Sequence, residues 1–431
     1  IFMKKKLLAF LFIFLFVFFP QNILIYGEEF DISAKSGILL DANSGKVLFE
    51  KNADEKMYPA SITKIMTAVL VLEKGGLDEV LTASRAAVDS ISRDSSNMGI
   101  LAGEELTVRQ LLEGLLIYSA GDAANVLAEY VSGSIGGFVN LMNEKALELG
   151  MINTHFVNTH GGHDDNHYST ARDLSKLALY AMNFTEFRDM VKKTQVTMAP
   201  TNKYKKDRIL SNTNHLLSKI RNPKYYYPYA TGIKTGYTSQ AGYCLMASAE
   251  KDDISLISVV MGAQNQNGNI MSFVDTKNLF EYAFNNFSYQ TVVKEGEYID
   301  GAPVLYAQKT DQIKLQAQND LVVLLKNGTD FSKITRSVDI SDEIRAPVNK
   351  GDAFGIATYY LLGEELGSVT LVSDADYKFD AVLYAASIII NTVTSPYFYV
   401  PLIVLIIISF IIKKRRNARR KRRFKVYRRY R

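Results

Sequence analysis

Cysteine is almost missing: Cys244 alone in 431 residues rules out an intrachain disulfide and any cysteine-built zinc cage. Positive charge is scarce where the chain could fold. Of 50 Lys and Arg, three stand at Lys4, Lys5 and Lys6 and 13 crowd into residues 413–431, so 34 face 45 Asp and Glu, a balance of −11 for the body. The formal +5 of the whole chain therefore belongs to its ends, and an acidic body argues against nucleic acid as a partner. Internal repeats and low-complexity linkers are lacking too. Apolar side chains are abundant: 47% hydrophobic against 22% charged residues supports a large buried core and argues against disorder. At ~100–200 residues per domain, the length suggests two or three folded units.

Both ends read as membrane-directed. Residues 1–27 combine the three lysines with an apolar run from Leu7 to Phe19, the form of a signal peptide or N-terminal anchor. Ile25 is bulky for a cleavage position, which leaves retention as an anchor open. Residues 394–412 are 19 long, enough at ~1.5 Å per residue to cross a ~30 Å hydrocarbon core, and Pro401 within them is tolerated in a membrane helix. The basic run 413–431 then predicts a cytoplasmic tail and an extracytoplasmic body in a cell-membrane protein. Lipid is the partner expected for this helix and tail. Residues 379–393 read as an apolar interfacial helix.

Within the body, the turn cluster Asp41-Ala42-Asn43-Ser44-Gly45 inside Gly37 to Val47 predicts a hairpin. After Pro59, Ile62, Ile65, Met66, Val69 and Leu70 recur at helical spacing as one buried stripe, with Thr63, Lys64 and Thr67 elsewhere on the cylinder. Further helices are expected over Val108 to Ile117, Ala123 to Val131, Phe138 to Leu149 and Ala171 to Met182. Strands follow at Tyr243 to Ala249 and Ile254 to Gly262, turning at Lys251-Asp252-Asp253, then a helix from about Phe273 to Phe287. This order predicts an α+β unit, an antiparallel sheet flanked by helices with a helical subdomain. Short runs and Asn-Gly or Gly-Glu turns from Thr291 to Tyr377 predict a small β-sandwich.

Ser61-Ile62-Thr63-Lys64 puts a hydroxyl and an amine three residues apart at a helix start, neighbours on one surface. A serine needs a base to become a nucleophile, and a lysine can serve if burial and nearby positive charge lower its pKa. Alone the spacing is cheap, since Ser248-Ala249-Glu250-Lys251 shares it. Support comes from Lys234-Thr235-Gly236, followed by Tyr237-Thr238. On a strand edge, glycine admits a substrate backbone, threonine offers a hydroxyl and lysine a fixed charge, and the strand can pair with an extended peptide.

With these motifs the sequence resembles the active-site serine penicillin-recognising proteins, and within them the D-alanyl-D-alanine carboxypeptidases of the low-molecular-weight penicillin-binding group. Tyr58 to Thr67, Asn153 to Asn158 with His167 to Ala171, and Gly232 to Leu245 carry the resemblance. It implies the penicillin-binding/β-lactamase-like transpeptidase fold, with a catalytic domain over 28–289, a β-sandwich domain over 290–378 and a C-terminal transmembrane helix. It implies that Ser61 attacks the carbonyl of the penultimate D-alanine, that Lys64 accepts its proton and that Ser119 relays it to the leaving D-alanine. Lys234, Thr235, Gly236 and Tyr237 would bind substrate, with the N–H groups of Ser61 and Tyr237 as the oxyanion hole. The partners implied are peptidoglycan stem peptides ending in D-Ala-D-Ala and β-lactam antibiotics, with no cofactor and no metal.

Two positions depart from the pattern. The second motif reads Ser119-Ala120-Gly121, with glycine where asparagine is usual; Asn125 or water are the substitutes for its amide. Ser95-Ser96-Asn97 is a literal Ser-x-Asn triplet, but it lies in a loop before the helix. Ser272 stands where many relatives carry an arginine, and no arginine occurs between Arg221 and Arg336. These changes keep open a wall-binding scaffold with weakened turnover as the alternative. A β-lactamase is the nearest enzymatic rival, and the Glu-x-x-Leu-Asn segment it would need after Ser119 is missing. The histidines from His160 to His167 could imitate a metal site, yet read better as a glycine-rich surface loop. Cys244 reads as a small core residue.

Overall fold

The chain is described as a computed structural model that covers residues 30–91, 95–341 and 343–427; the signal or anchor expected at 1–27 lies outside these residues. The expected hairpin forms from β1, Ser36–Asp41, and β2, Val47–Lys51. Its turn is held by the Asp41 carboxylate, which accepts from Asn43 N (3.3 Å) and Ser44 N (3.2 Å), as Asp does where it mimics a backbone turn. Strands β3, Ala230–Thr238, β4, Gly242–Lys251, and β5, Ile254–Ala263, complete a sheet of order β2-β1-β5-β4-β3. All four pairings are antiparallel. Lys234 therefore sits on an edge strand whose one sheet neighbour among the described residues is β4.

Helix α1, Lys64–Lys74, runs through the middle of this first unit, with α2, Gly121–Ser132, against it. Helices α3, Ala171–Ala181, and α4, Met271–Asn286, pack on the sheet. The stripe Ile62, Ile65, Met66, Val69 and Leu70 is core, but Thr63, Lys64 and Thr67 are buried as well. The polar side of α1 is not a solvent face. It meets the loop after Phe156, where Thr67 Oγ1 donates to the Thr159 carbonyl (2.6 Å) and Thr63 Oγ1 bonds His167 Nε2 (2.8 Å). Internal partners remove the cost of burying such groups.

The helix expected over Val108 to Ile117 is α-helical only from Val108 to Glu113, and Gly114–Tyr118 is a π-helical turn. Such turns recur at functional sites, and this one delivers Ser119. A short hairpin of Gln195–Met198 with Arg208–Ser211 carries no strong sequence signal. It is clasped to the segment before Glu105 by a buried ion pair, Arg208 to both Glu104 carboxylate oxygens at 2.6 and 2.9 Å. Removing either partner would strand a buried charge, at a cost of about 3–5 kcal/mol.

The chain divides between Asn286 and Phe287 into two compact units. The second is β-rich: a six-stranded sheet, antiparallel except where Val304 and Leu305 run parallel to Ile344 and Arg345, and an antiparallel pair of Phe287–Val293 with Leu321–Lys326. Ile299, Ile313, Leu315 and Leu371 are in its core. After it, Asp380 caps the helix Ala381–Thr394 by accepting from Val382 N (2.9 Å) and Leu383 N (3.0 Å). A second helix, Pro396–Tyr427, runs through Pro401 into the basic residues. Among the described residues, Pro396–Arg420 is the one helical stretch long and apolar enough to cross a membrane, and none of it is buried.

Candidate active site

Pro59 opens a short 3-10 turn, Ala60–Thr63, that leads into α1. Ala60 has φ +47°, a left-handed conformation that non-glycine residues avoid and that concentrates at functional sites. Ile62 N–H closes the turn on the Pro59 carbonyl (3.2 Å). The Ser61 N–H thus falls among the donors that a helix start does not use internally. Two glycines press on this backbone from different parts of the chain. A Cβ on Gly161 would meet the Ala60 carbonyl oxygen at 1.8 Å, and one on Gly236 would meet the Pro59 carbonyl oxygen at 3.0 Å and Ser61 N at 3.1 Å.

Lys64 Nζ lies 2.8 Å from Ser61 Oγ and 2.5 Å from the His160 carbonyl oxygen. Burial pushes its pKa well below the ordinary lysine value, the charge of Lys234 pushes it further down, and Asp122 opposes both. Lys234 is itself buried, and burial brings it down to about 7. The repulsion between the two amines is mutual, and together with burial it favours a neutral Lys64 beside Ser61. A neutral amine can offer an N–H to the His160 carbonyl and its lone pair to the Ser61 hydroxyl.

Ser61, Ser119, Thr235, Gly236 and Tyr237 line one cleft of about 330 Å³, and Lys234 lies buried next to Thr235 on the same strand, its Nζ 3.2 Å from the Thr235 carbonyl oxygen. Ser119 is buried and left-handed at φ +69°, ψ +31°. Tyr237 is exposed, with its ring 4.5 Å from that of Tyr243. The cleft also holds Ser96, Thr213, His215, Ser272 and Phe273. Thr213 and His215 have no place in the sequence reading; Thr213 Oγ1 is 2.6 Å from Thr235 Oγ1, a contact between segments with no motif linking them. The literal Ser-x-Asn triplet sends only Ser96 to the cleft, since the Asn97 amide bonds back to the Ser95 carbonyl (3.0 Å).

Of the two substitutes weighed for the missing amide, the structure rules on Asn125. Asn125 faces away: its Nδ2 donates to Ser90 Oγ (2.9 Å) and its Oδ1 accepts from Thr159 Oγ1 (2.5 Å). The acceptor next to Lys64 is instead the His160 backbone carbonyl. The space beside Gly121 is also filled. A Cβ there would sit 3.2 Å from the Ser96 carbonyl oxygen, 3.4 Å from Ile91 Cδ1 and 3.6 Å from His160 Cβ. Gly121→Asn should therefore bring no gain in turnover and should lower Tm by several degrees, as overpacking of about 1–3 kcal/mol does. A large gain measured in kcat would mean that the carbonyl is a poor stand-in.

The histidines of the neighbouring loop are committed to structure. His167 Nδ1 accepts from Val157 N (3.1 Å), so Nε2 carries the proton and donates to Thr63 Oγ1. Burial holds its pKa down at about 4, against an ordinary 6.5. The stability tied to this neutral ring is complete above pH 6.5 and is lost as pH falls towards 4. In melts across that window, His167→Gln should flatten the acid loss of Tm.

A family model described as D-alanyl-D-alanine carboxypeptidase, peptidase S11, matches residues 25–265, and the penicillin-binding protein 5 C-terminal domain matches 287–378. The chain belongs to the D-alanyl-D-alanine carboxypeptidase family. It is similar to the carboxypeptidase DacF of Bacillus subtilis, 34% identical over 81% of this chain and 87% of that protein, and to DacC of Escherichia coli, 32% identical over 84% and 88%. Penicillin-binding protein 5 from Haemophilus influenzae has a similar structure, with a TM-score of 0.63 and 31% identity over 81% of this chain and 98% of that one. The DD-transpeptidase of Streptomyces K15 gives 0.54 and 33% over 59% and 98%. The resemblance read from the Ser61 and Lys234 motifs thus holds, as do the fold class and the assignment to the serine peptidases.

Proposed function

We propose that this carboxypeptidase removes the terminal D-alanine from peptidoglycan stem pentapeptides through an acyl-enzyme on Ser61. The observation that carries the reading is the 2.8 Å contact between Ser61 Oγ and the Nζ of Lys64, an amine that burial and Lys234 favour in its neutral form. Ser61 Oγ attacks the carbonyl of the penultimate D-alanine while its proton passes to Lys64 Nζ. The oxyanion forms between the N–H groups of Ser61 and Tyr237. Ser119 relays the proton to the amine of the departing D-alanine. Lys234 and Thr235 hold the substrate's end, Gly236 allows close approach, and the free edge of β3 pairs with the peptide backbone. Water, activated by Lys64, then hydrolyses the ester.

β-Lactams acylate Ser61 by the same route and leave slowly. Among the described residues lining the cleft there is no carboxylate, so the extra base of a fast β-lactamase has no candidate among them. The His160 carbonyl beside Lys64 weakens the case for a scaffold disabled by Gly121. In the cell, the last helix would span the membrane with its apolar part, up to Ile412, with the basic tail 413–431 in the cytoplasm and the two units outside, and Ala381–Thr394 would lie along the outer leaflet.

The test is D-alanine release from a stem pentapeptide by the full chain, with a fluorescent penicillin adduct mapped by mass spectrometry. Release together with an adduct on Ser61 is expected. Labelling without release would favour the wall-binding scaffold, and no adduct on Ser61 would sink the mechanism.

A further inference from the structure

The mechanism leaves one polar ring of the cleft without a task. His215 lines the cleft together with Ser61, Ser119 and Thr235. It starts the short turn His215–Leu217, which Asn214 caps by accepting from Leu216 N (3.1 Å). Asn214 Nδ2 also donates to the Gly232 carbonyl (2.8 Å), tying the turn to the strand that carries Lys234. The imidazole is nearly parallel to two aromatic rings, Phe273 at 5.1 Å and 14° and Tyr225 at 6.1 Å and 17°. The Asn222 amide lies 3.3 Å from its Nδ1. A ring stacked in this way and held at Nδ1 is oriented before any ligand arrives, and Nε2 is the polar atom left for the cleft.

A peptidase that removes the last residue of a chain meets a free carboxylate on the leaving side. That group needs donors, and an unpaired buried anion is costly. Around His215 the cleft offers the hydroxyls of Thr213, Thr235 and Ser272, and among the described residues its lining holds neither a carboxylate to repel an anion nor an arginine to bind it. Cations stand around the turn: Arg221, whose charge acts on the ring, Lys224 beside Tyr225, and Lys234 on the strand. We infer that His215, through Nε2 and with the Thr213 hydroxyl, seats the substrate's terminal carboxylate on the side where Ser272 replaces an arginine. Burial and Arg221 both lower the pKa of the ring, so near neutral pH it binds as an N–H donor.

The inference rests on the carboxypeptidase reading, and the experiment separates the two. Full-length wild type, His215→Phe and His215→Gln are compared on an acyl-L-Lys-D-Ala-D-Ala peptide and on the same peptide with a C-terminal amide. Each variant is first shown to label fully at saturating penicillin. His215→Phe, which keeps the stack and loses the donor, should lower kcat/KM for the acid about 10- to 100-fold, the size of a lost hydrogen bond to a charged group. The loss should lie mainly in KM, the amide should change by less than about twofold, and Gln should recover part of the deficit. Equal losses on both peptides would mean a structural role, and no loss on the acid would mean that the carboxylate lies elsewhere; either result overturns the inference while D-alanine release by wild type keeps the parent reading. A wild type that releases no D-alanine from the acid overturns both.

Discussion

Lys64→Met should reduce D-alanine release by about 10³- to 10⁴-fold and leave the protein folded. Methionine is similar in length and flexibility and fits the buried space without an amine, so the change removes the base and little else. General bases contribute roughly 10²–10⁴ to rate, and here the upper part of that range applies because Lys64 is the amine in contact with Ser61, while the described cleft lining otherwise offers hydroxyls, a thiol and one imidazole. Acylation by penicillin should fall in parallel, since the same proton must leave Ser61. Two effects on stability oppose each other. The His160 carbonyl loses its partner, worth about 1 kcal/mol, while a buried, positively influenced amine disappears, so Tm should move by only a few degrees. A drop in kcat/KM of less than tenfold would show that another group takes the proton.

Gly161→Ala should be nearly as damaging for a different reason. The added methyl would lie 1.8 Å from the Ala60 carbonyl oxygen and 2.4 Å from its carbon, backbone atoms that no side-chain rotation can move aside. The φ of +83° at Gly161 also disfavours any side chain. Relief requires moving the backbone that carries Ser61, and a displacement near 1 Å at a reacting centre costs about 10² in rate. A fall in kcat of at least that size, with Tm lower by several degrees, is the expected outcome. Gly133→Ala is the control: φ is +76° and nothing lies within 4 Å, so it carries the conformational cost of about 1 kcal/mol without the clash. Comparable kcat losses in the two variants would refute the clamp.

The contact of Ser61 with Lys64, and the approach of the Lys234 strand to it, were legible in the sequence because residue type and spacing mark them, and a sequence records both directly. The α1 stripe was legible for the same reason, through its period. The burial of the polar side of α1 was not legible because the loop that satisfies Thr63 and Thr67 begins about ninety residues later, and burial of a polar group is decided by its partner. The acceptor for Lys64 could not be read at all. It is a backbone carbonyl, present at every position and marked by none, whereas Asn125 advertised an amide that the fold spends on Ser90 and Thr159. Thr213 and His215 belong to a turn with no strong signal, brought to the cleft by contacts such as the pairing of Thr213 with Thr235 and the Asn214 tie to Gly232. The π-helical turn before Ser119 was hidden because its sequence, Gly-Leu-Leu-Ile-Tyr, has the apolar content of an ordinary helix.

The strained step from Ala60 to Ser61 is held between Gly161, from the loop after Phe156, and Gly236, from an edge strand of the sheet. Those three segments come together late, because contacts so distant in sequence pay for loop closure before they return anything. A chain with α1 formed but the sheet incomplete would already own Ser61 and Lys64 as helix neighbours, yet would lack the walls that press the nucleophile's backbone into shape. Reaction with penicillin is then a certificate of maturation. During refolding, adduct formation should lag behind the recovery of helical signal and coincide with the return of full protease resistance, so a covalent antibiotic could count finished molecules in a population still assembling.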